Sequence, residues 1–231
     1  MRSPRRGGPG RERRIEGAGV DDWPLFGLRL RCGEVTLRAV REDDLARLAA
    51  ILPDDFEQDP RLERLPGLSA AAQERARFCQ GYWRALGAWS PSSWSLHLAV
   101  GYQGELVGVQ TLEGEDFPAL RTVDSASWLT RGVRGRGLGV AMRTAALGLA
   151  FERLGAVAAV SSAVPANAAS LGVSRRIGYA ENGVGLVVAP GGRVVELRHL
   201  RLTADRWRAA GHGSSVTISG FEPCRPWFGP A

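Results

Sequence analysis

The ten residues 133–142, VRGRGLGVAM, constrain this chain more than any other stretch. A run of strand character, residues 122–130 (TVDSASWLT), leads into them. An apolar-periodic run, residues 138–154, leads out, with Leu138, Met142, Ala145 and Leu149 spaced as on one stripe of an amphipathic helix. The join is therefore a strand-to-helix turn. It carries Gly135, Gly137 and Gly139 at alternate positions, where missing Cβ atoms let the backbone turn and let a large group approach the amides. The first turn of a helix leaves its amide hydrogens unpaired at the positive end of the helix dipole. Arg134 and Arg136 add forked donors suited to phosphate oxygens. An anion, in the first place a phosphate, is the expected ligand.

Several phosphate chemistries are excluded by the same residues. After Gly135 and Gly137 a dinucleotide fingerprint needs its third glycine at 140, where Val140 stands. The 30 basic residues are all arginine, so neither a Walker loop nor a Schiff-base enzyme can be built from this chain. The net charge of +6 is concentrated in residues 1–20, which hold six arginines and two glutamates. That leader of arginine, glycine and proline has too little apolar surface to offset the entropy of ordering, and is expected to be disordered. Nucleic-acid binding would have to rest on this leader, since the remaining residues are nearly balanced, and is not expected. Cys32, Cys79 and Cys224 are odd in number and widely spaced, so they read as free thiols. His97, His199 and His212 have no acid or cysteine at ligand spacing, and no metal is expected. No apolar run has the length of a membrane span and no signal peptide is visible, which makes the cytoplasm the expected compartment.

Along the chain, residues 35–40 alternate as a half-buried strand, and Glu42, Asp43 and Asp44 open a helical run with Leu45, Leu48, Ala49 and Leu52 on one stripe. Residues 53–66 form an acidic loop around Asp54, Asp55, Phe56, Glu57 and Asp59, read as a solvated surface although it would suit a cationic acceptor. Ser69 is placed to cap a helix over residues 70–88, whose Phe78, Tyr82, Trp83 and Leu86 read as core, with Phe56, Tyr82 or Trp83 as a candidate substrate wall. Residues 94–100 and 105–112 form a hairpin, and 122–130 a third strand. After the helix ended by Gly155, residues 156–163 are a buried strand, which completes a βαβ unit. A helix over 168–177 ends at Gly178, a second hairpin spans 185–202 with its turn at Pro190, Gly191 and Gly192, and a short helix covers 203–210. Beyond Gly211 a loose tail is expected, with Phe221, Trp227 and Phe228 able to tuck back onto the domain.

Two motifs together carry a resemblance. Arg134, Gly137 and Gly139 fit the signature of the GNAT superfamily of N-acetyltransferases, arginine or glutamine, two residues, glycine, one residue, then glycine or alanine. Asn167, Ser170 and residues 174–179 (SRRIGY) resemble the asparagine-containing helix and closing glycine-aromatic pair that follow in that family. Trp128, Leu129 and Ser170 most resemble the branch containing the ribosomal-protein N-terminal alanine acetyltransferases. The resemblance covers residues 35–202. It implies an α/β (α+β) domain over residues 35–205 with a mixed, mostly antiparallel sheet of six or seven strands, a central βαβ acyl-CoA-binding unit and flanking helices, followed by a C-terminal extension, 206–231.

The activity implied is direct transfer of an acetyl group from acetyl-CoA to a primary amine, on a protein N-terminus or a small molecule, in a ternary complex. The resemblance assigns the pyrophosphate to the amides of Arg134, Gly135, Arg136, Gly137, Leu138, Gly139 and Val140. It assigns the oxyanion donor to the amide of Leu129 or Thr130, and contacts with the coenzyme arm to Asn167 and Ser170. The ammonium must lose a proton, for which Asp124 is the first candidate and Glu113 the second. Where many members carry a tyrosine as acid for the departing thiolate this chain has Ser174, a poor acid, so Ser174 or water is expected there. Asn167 has a plain alternative as a helix cap. A CoA-binding regulatory module without turnover stays open as an alternative, as does a homodimer.

Overall fold

The computed structural model describes residues 22–56, 66–188, 192 and 194–229. The arginine-rich leader, residues 57–65 of the acidic loop, and Pro190 and Gly191 of the hairpin turn lie outside the described residues. In chain order the elements are β1 (Arg29–Cys32), β2 (Val35–Ala39), α1 (Leu45–Ala50), α2 (Ala70–Gly87), β3 (Trp94–Tyr102), β4 (Glu105–Gly114), a single turn α3 (Phe117–Leu120), β5 (Thr122–Leu129), α4 (Leu138–Gly148), β6 (Ala158–Ala163), α5 (Ala168–Ile177), β7 (Ala180–Val188), β8 (Val194–Thr203), α6 (Ala204–Ala209) and β9 (Val216–Ser219). They build one mixed sheet in the order β7-β8-β6-β5-β4-β3-β2-β1-β9, in which only β5 and β6 run parallel.

Among the described residues nine strands replace the six or seven expected. The additional edge comes from β1, which pairs β2 on one side and β9 on the other. Both β1 and β9 are four residues long, so their alternation, RLRC and VTIS, is at the minimum length that marks a strand. The C-terminal stretch is therefore an integral part of the domain rather than a loose extension. Phe221, Cys224 and Phe228 are buried in the main core, and the Trp227 carbonyl accepts a hydrogen bond from Trp89 Nε1 at 2.9 Å. Gly148 near the end of α4 makes this docking possible, because a Cβ there would lie 2.7 Å from Val216 Cγ1 on β9.

The helices divide between the two faces of the sheet. On one, Leu138, Met142 and Ala145 of α4 and Leu149 just beyond it pack into the larger core with Leu30, Leu37, Leu112, Val123 and Leu129. On the other, Leu45 and Leu48 of α1 and Tyr82 of α2 form a smaller core with Val109 and Trp128. A buried carboxylate fixes the start of α1. Asp44 takes both terminal nitrogens of Arg38 at 2.6 Å and the amide of Arg41 at 2.9 Å.

The feature that positions the site is a separation inside the sheet. β5 and β6 are paired only from Thr122, Val123 and Asp124 to Ala158, Ala159 and Val160. Beyond these pairs β5 continues to Leu129 against β4 alone, and β6 to Ala163 against β8 alone. A gap therefore opens toward the C-terminal ends of the two parallel strands, where α4 begins.

Candidate active site

The mouth of this gap is the glycine-arginine turn. Gly135 and Gly137 have φ values of 78° and 80°, in the left-handed region that residues with a Cβ avoid. Gly137 is also the N-cap of α4, and having no side chain it leaves the helix start uncapped. The amides of Gly135, Arg136 and Gly137 have no backbone acceptor among the described residues, whereas those of Arg134 and Val140 are bonded to the Arg131 and Gly137 carbonyls at 3.2 and 3.0 Å, which corrects their assignment to the pyrophosphate. Open amides, an uncapped 11-residue helix and the helix dipole make this turn a cradle for an anion. Gly139 has a different task. A Cβ there would lie 3.1 Å from Val173 Cγ2, so this glycine seats α4 against α5 rather than admitting a ligand.

The two arginines in this turn are not equivalent. Arg134 donates from Nε to the Leu129 carbonyl at 2.9 Å and from both terminal nitrogens to Asp55, at 2.7 and 2.8 Å. The guanidinium hydrogen bonds hold the Asp55 carboxyl below the usual carboxylate range. Arg131 reaches Asp54 at 2.6 Å. Arg136 is exposed and forms no ion pair among the described residues, which leaves it as the loop's available cation.

Along the gap, the Thr130 amide is bonded to the Val107 carbonyl at 2.9 Å, which corrects its assignment as an oxyanion donor. Successive amides of an extended strand point to opposite sides, so those of Leu129 and Ser127 face the gap. From Leu129 to Asp124 is about 17 Å along the strand, and from Ser127 about 10 Å, at roughly 3.3 Å per residue. Ser127 is thus the better placed of the two to serve chemistry near Asp124.

The two candidate carboxylates come together. Glu113 on β4 and Asp124 on β5 are direct cross-strand partners, on the face that carries Trp128 and away from α4. Ser95 Oγ donates to Glu113 Oε1 at 3.0 Å. Asp124 keeps a solvent-exposed edge, yet protein surrounds enough of it that burial, reinforced by the charge of Glu113, raises its pKa against the opposing hydrogen bond from the Ser125 amide. Like charges at a cross-strand spacing of about 5 Å disfavour double ionisation.

Ser174 is not part of this group. It is fully buried between α4 and α5, donating to the Ser170 carbonyl at 3.2 Å and accepting from Arg143 at 2.7 Å, so its hydroxyl is committed and away from the carboxylates. That placement corrects its reading as an acid. Asn167 caps α5, accepting from the Ser170 amide at 3.1 Å, as its plain alternative had it.

Sequence reasoning passed over Arg143 altogether. Its side chain is buried under β5, with one terminal nitrogen on Ser174 and the other 3.3 Å from Ser127 Oγ, while Nε has no hydrogen-bond partner among the described residues. The one available signal was that Arg143, four residues after Gly139, is the lone charged residue of α4. Tyr179, in the same buried pocket, is pushed up to about 12 by burial. His97 is lowered to about 4 by burial. No group of three or more potential metal ligands occurs among the described residues, the three cysteines are free, and no described helix is long and apolar enough to cross a membrane.

Comparison with known proteins gives one family model, an acetyltransferase (GNAT) domain, matched over residues 34–180. Among solved structures, Mycobacterium smegmatis RimJ in complex with CoA-disulfide is similar at 22% identity and a TM-score of 0.59, covering 82% of this chain and 96% of that one. A putative ribosomal-protein-serine acetyltransferase from Vibrio cholerae has a TM-score of 0.57 at 14% identity, covering 76% and 97%. Mutant forms of the spermidine/spermine N-acetyltransferase SpeG from Vibrio cholerae give a TM-score of 0.58 at 14% identity, covering 77% and 98%.

Proposed function

We propose that this chain, which belongs to the GNAT acetyltransferase family, transfers an acetyl group from acetyl-CoA to a primary amine by direct attack in a ternary complex. The observation that carries the reading is the register of Glu113 against Asp124 beside a gap whose mouth is an uncapped helix start. In this reading the pyrophosphate rests on the amides from Gly135 to Gly139, with Arg136 as its cation. The pantetheine arm enters the gap along β5 and meets the Leu129 amide, with Asn167 and Ser170 beside it at the start of α5.

The thioester carbonyl then lies at the Ser127 amide, which stabilises the oxyanion as the amine nitrogen attacks. The C–N bond forms, the C–S bond breaks and the sulfur leaves with its electron pair. Asp124 takes the proton of the incoming ammonium, through a chain of waters where the amine lies at the Ser127 amide, and Glu113 holds the cationic amine beside it. The second proton of the attacking nitrogen passes through water to the thiolate as the tetrahedral intermediate collapses, since the Ser174 hydroxyl is otherwise engaged. The acceptor is a protein N-terminus or a small amine; the names of two related proteins carry a ribosomal protein and a polyamine.

The test is thiol release from acetyl-CoA across an amine panel that includes N-terminal peptides of ribosomal proteins and spermidine. Release on at least one amine is expected. CoA binding with no release on any amine would overturn turnover and favour a regulatory CoA-binding module. The domain works without a membrane and without nucleic acid in this reading, and a homodimer is a further proposal that sedimentation would decide.

A further inference from the structure

The segment after α1 does not simply face solvent. Asp54, Asp55 and Phe56 come back to the end of β5. The Phe56 ring stands edge-on to Trp128 with centroids 6.0 Å apart, and Trp128 meets Phe78 of α2 in the same way at 6.1 Å. The Asp55 carboxylate takes both terminal nitrogens of Arg134, whose Nε holds the last carbonyl of β5. Arg131 adds a second tie to Asp54 and lies 3.8 Å from Asp55. The arginine that heads the anion loop therefore spends its guanidinium on protein groups from two different elements. An isolated half-exposed ion pair contributes little. A bidentate pair whose arginine is also locked to a strand end fixes geometry in addition.

We propose that Asp55, Arg134 and the Leu129 carbonyl form a strap that makes residues 54–56, on the face carrying Glu113 and Asp124, move as one unit with the anion loop, so that occupancy of the donor site is transmitted to the acceptor side. Asp55 and Arg134 are positioning residues in this account. The terms donor and acceptor side rest on the function proposed above.

Hydrogen exchange on the full chain tests the strap, first without ligand. D55N and R134Q are each expected to speed exchange at 51–56 and at 129–134 together, by about two- to fivefold, the range such a pair supports. The double variant should be no worse than either single one, and D55E should restore protection. Effects confined to the mutated side, or additive in the double variant, overturn the strap. With saturating CoA as the probe, exchange in the wild-type chain is expected to slow at 135–140 and also at 51–56. In D55N it should slow at 135–140 alone. Equal slowing at 51–56 in D55N overturns transmission through the pair, and faster exchange there in the wild-type chain would mean that phosphate displaces Asp55 instead. Failure of CoA to protect 135–140 in the wild-type chain counts against the proposed function, and the ligand-free arm still decides the strap.

Discussion

Asp124 is useful as a base only when ionised, and two features oppose its ionisation: burial and the charge of Glu113 across the ladder. A carboxyl with a raised pKa loses its base form as pH falls through that value, so the acid limb of kcat/KM is expected above the ordinary aspartate range near about 4. Substituting Glu113→Gln removes one of the two opposing causes and should move the limb to lower pH, as a pH-rate profile would record. Asp124→Asn should lower kcat by about 10²- to 10⁴-fold with CoA affinity retained, measured by thiol release and calorimetry. A loss in CoA affinity of the same size would instead make Asp124 structural. In the sequence Asp124 stood out as a candidate through its place four residues before Trp128 on the strand that feeds the anion loop, with Glu113 second. Their direct opposition was not, since register depends on how β4 and β5 align after an intervening turn.

The turn into α4 was legible because its chemistry is local. Glycine spacing, a strand before it and a periodic helix after it are all properties of adjacent residues, and the left-handed Gly135 and Gly137 follow from them. Gly137→Ala is expected to cost about 1–2 kcal/mol for a side chain forced into that region, and to weaken CoA binding by closing part of the cradle. Thermal denaturation and calorimetry read the two effects, and unchanged CoA affinity would move the anion site elsewhere. What the turn's sequence could not show is where its side chains go. Arg134 and Arg136 look alike in the motif, yet one is bound to Asp55, far away in the chain, and the other faces solvent. The same holds for Ser174, whose hydroxyl is engaged by Arg143 arriving from another helix.

On the scale of the molecule, the central βαβ unit and both hairpins were evident from periodicity, whereas β1 and β9 are alternating runs of only four residues whose pairing joins the two ends of the described chain. Ending the chain after Ala210 removes β9 together with the buried Phe221 and Phe228, each worth about 1.5–3 kcal/mol by area. The truncated protein is therefore expected to melt well below the full chain or to precipitate, as calorimetry and solubility would show. Equal stability would return the tail to the role of a loose extension.

The gap between β5 and β6 has one more consequence. Six strands on one side and three on the other are stitched together by three residue pairs and by the helix that crosses beneath. A ligand arm carrying its own amides, laid along β5, would act as a missing strand and complete the ladder between the two parts. Donor occupancy would then set how stiffly the sheet behaves as a single plate, with substrate a temporary piece of the secondary structure.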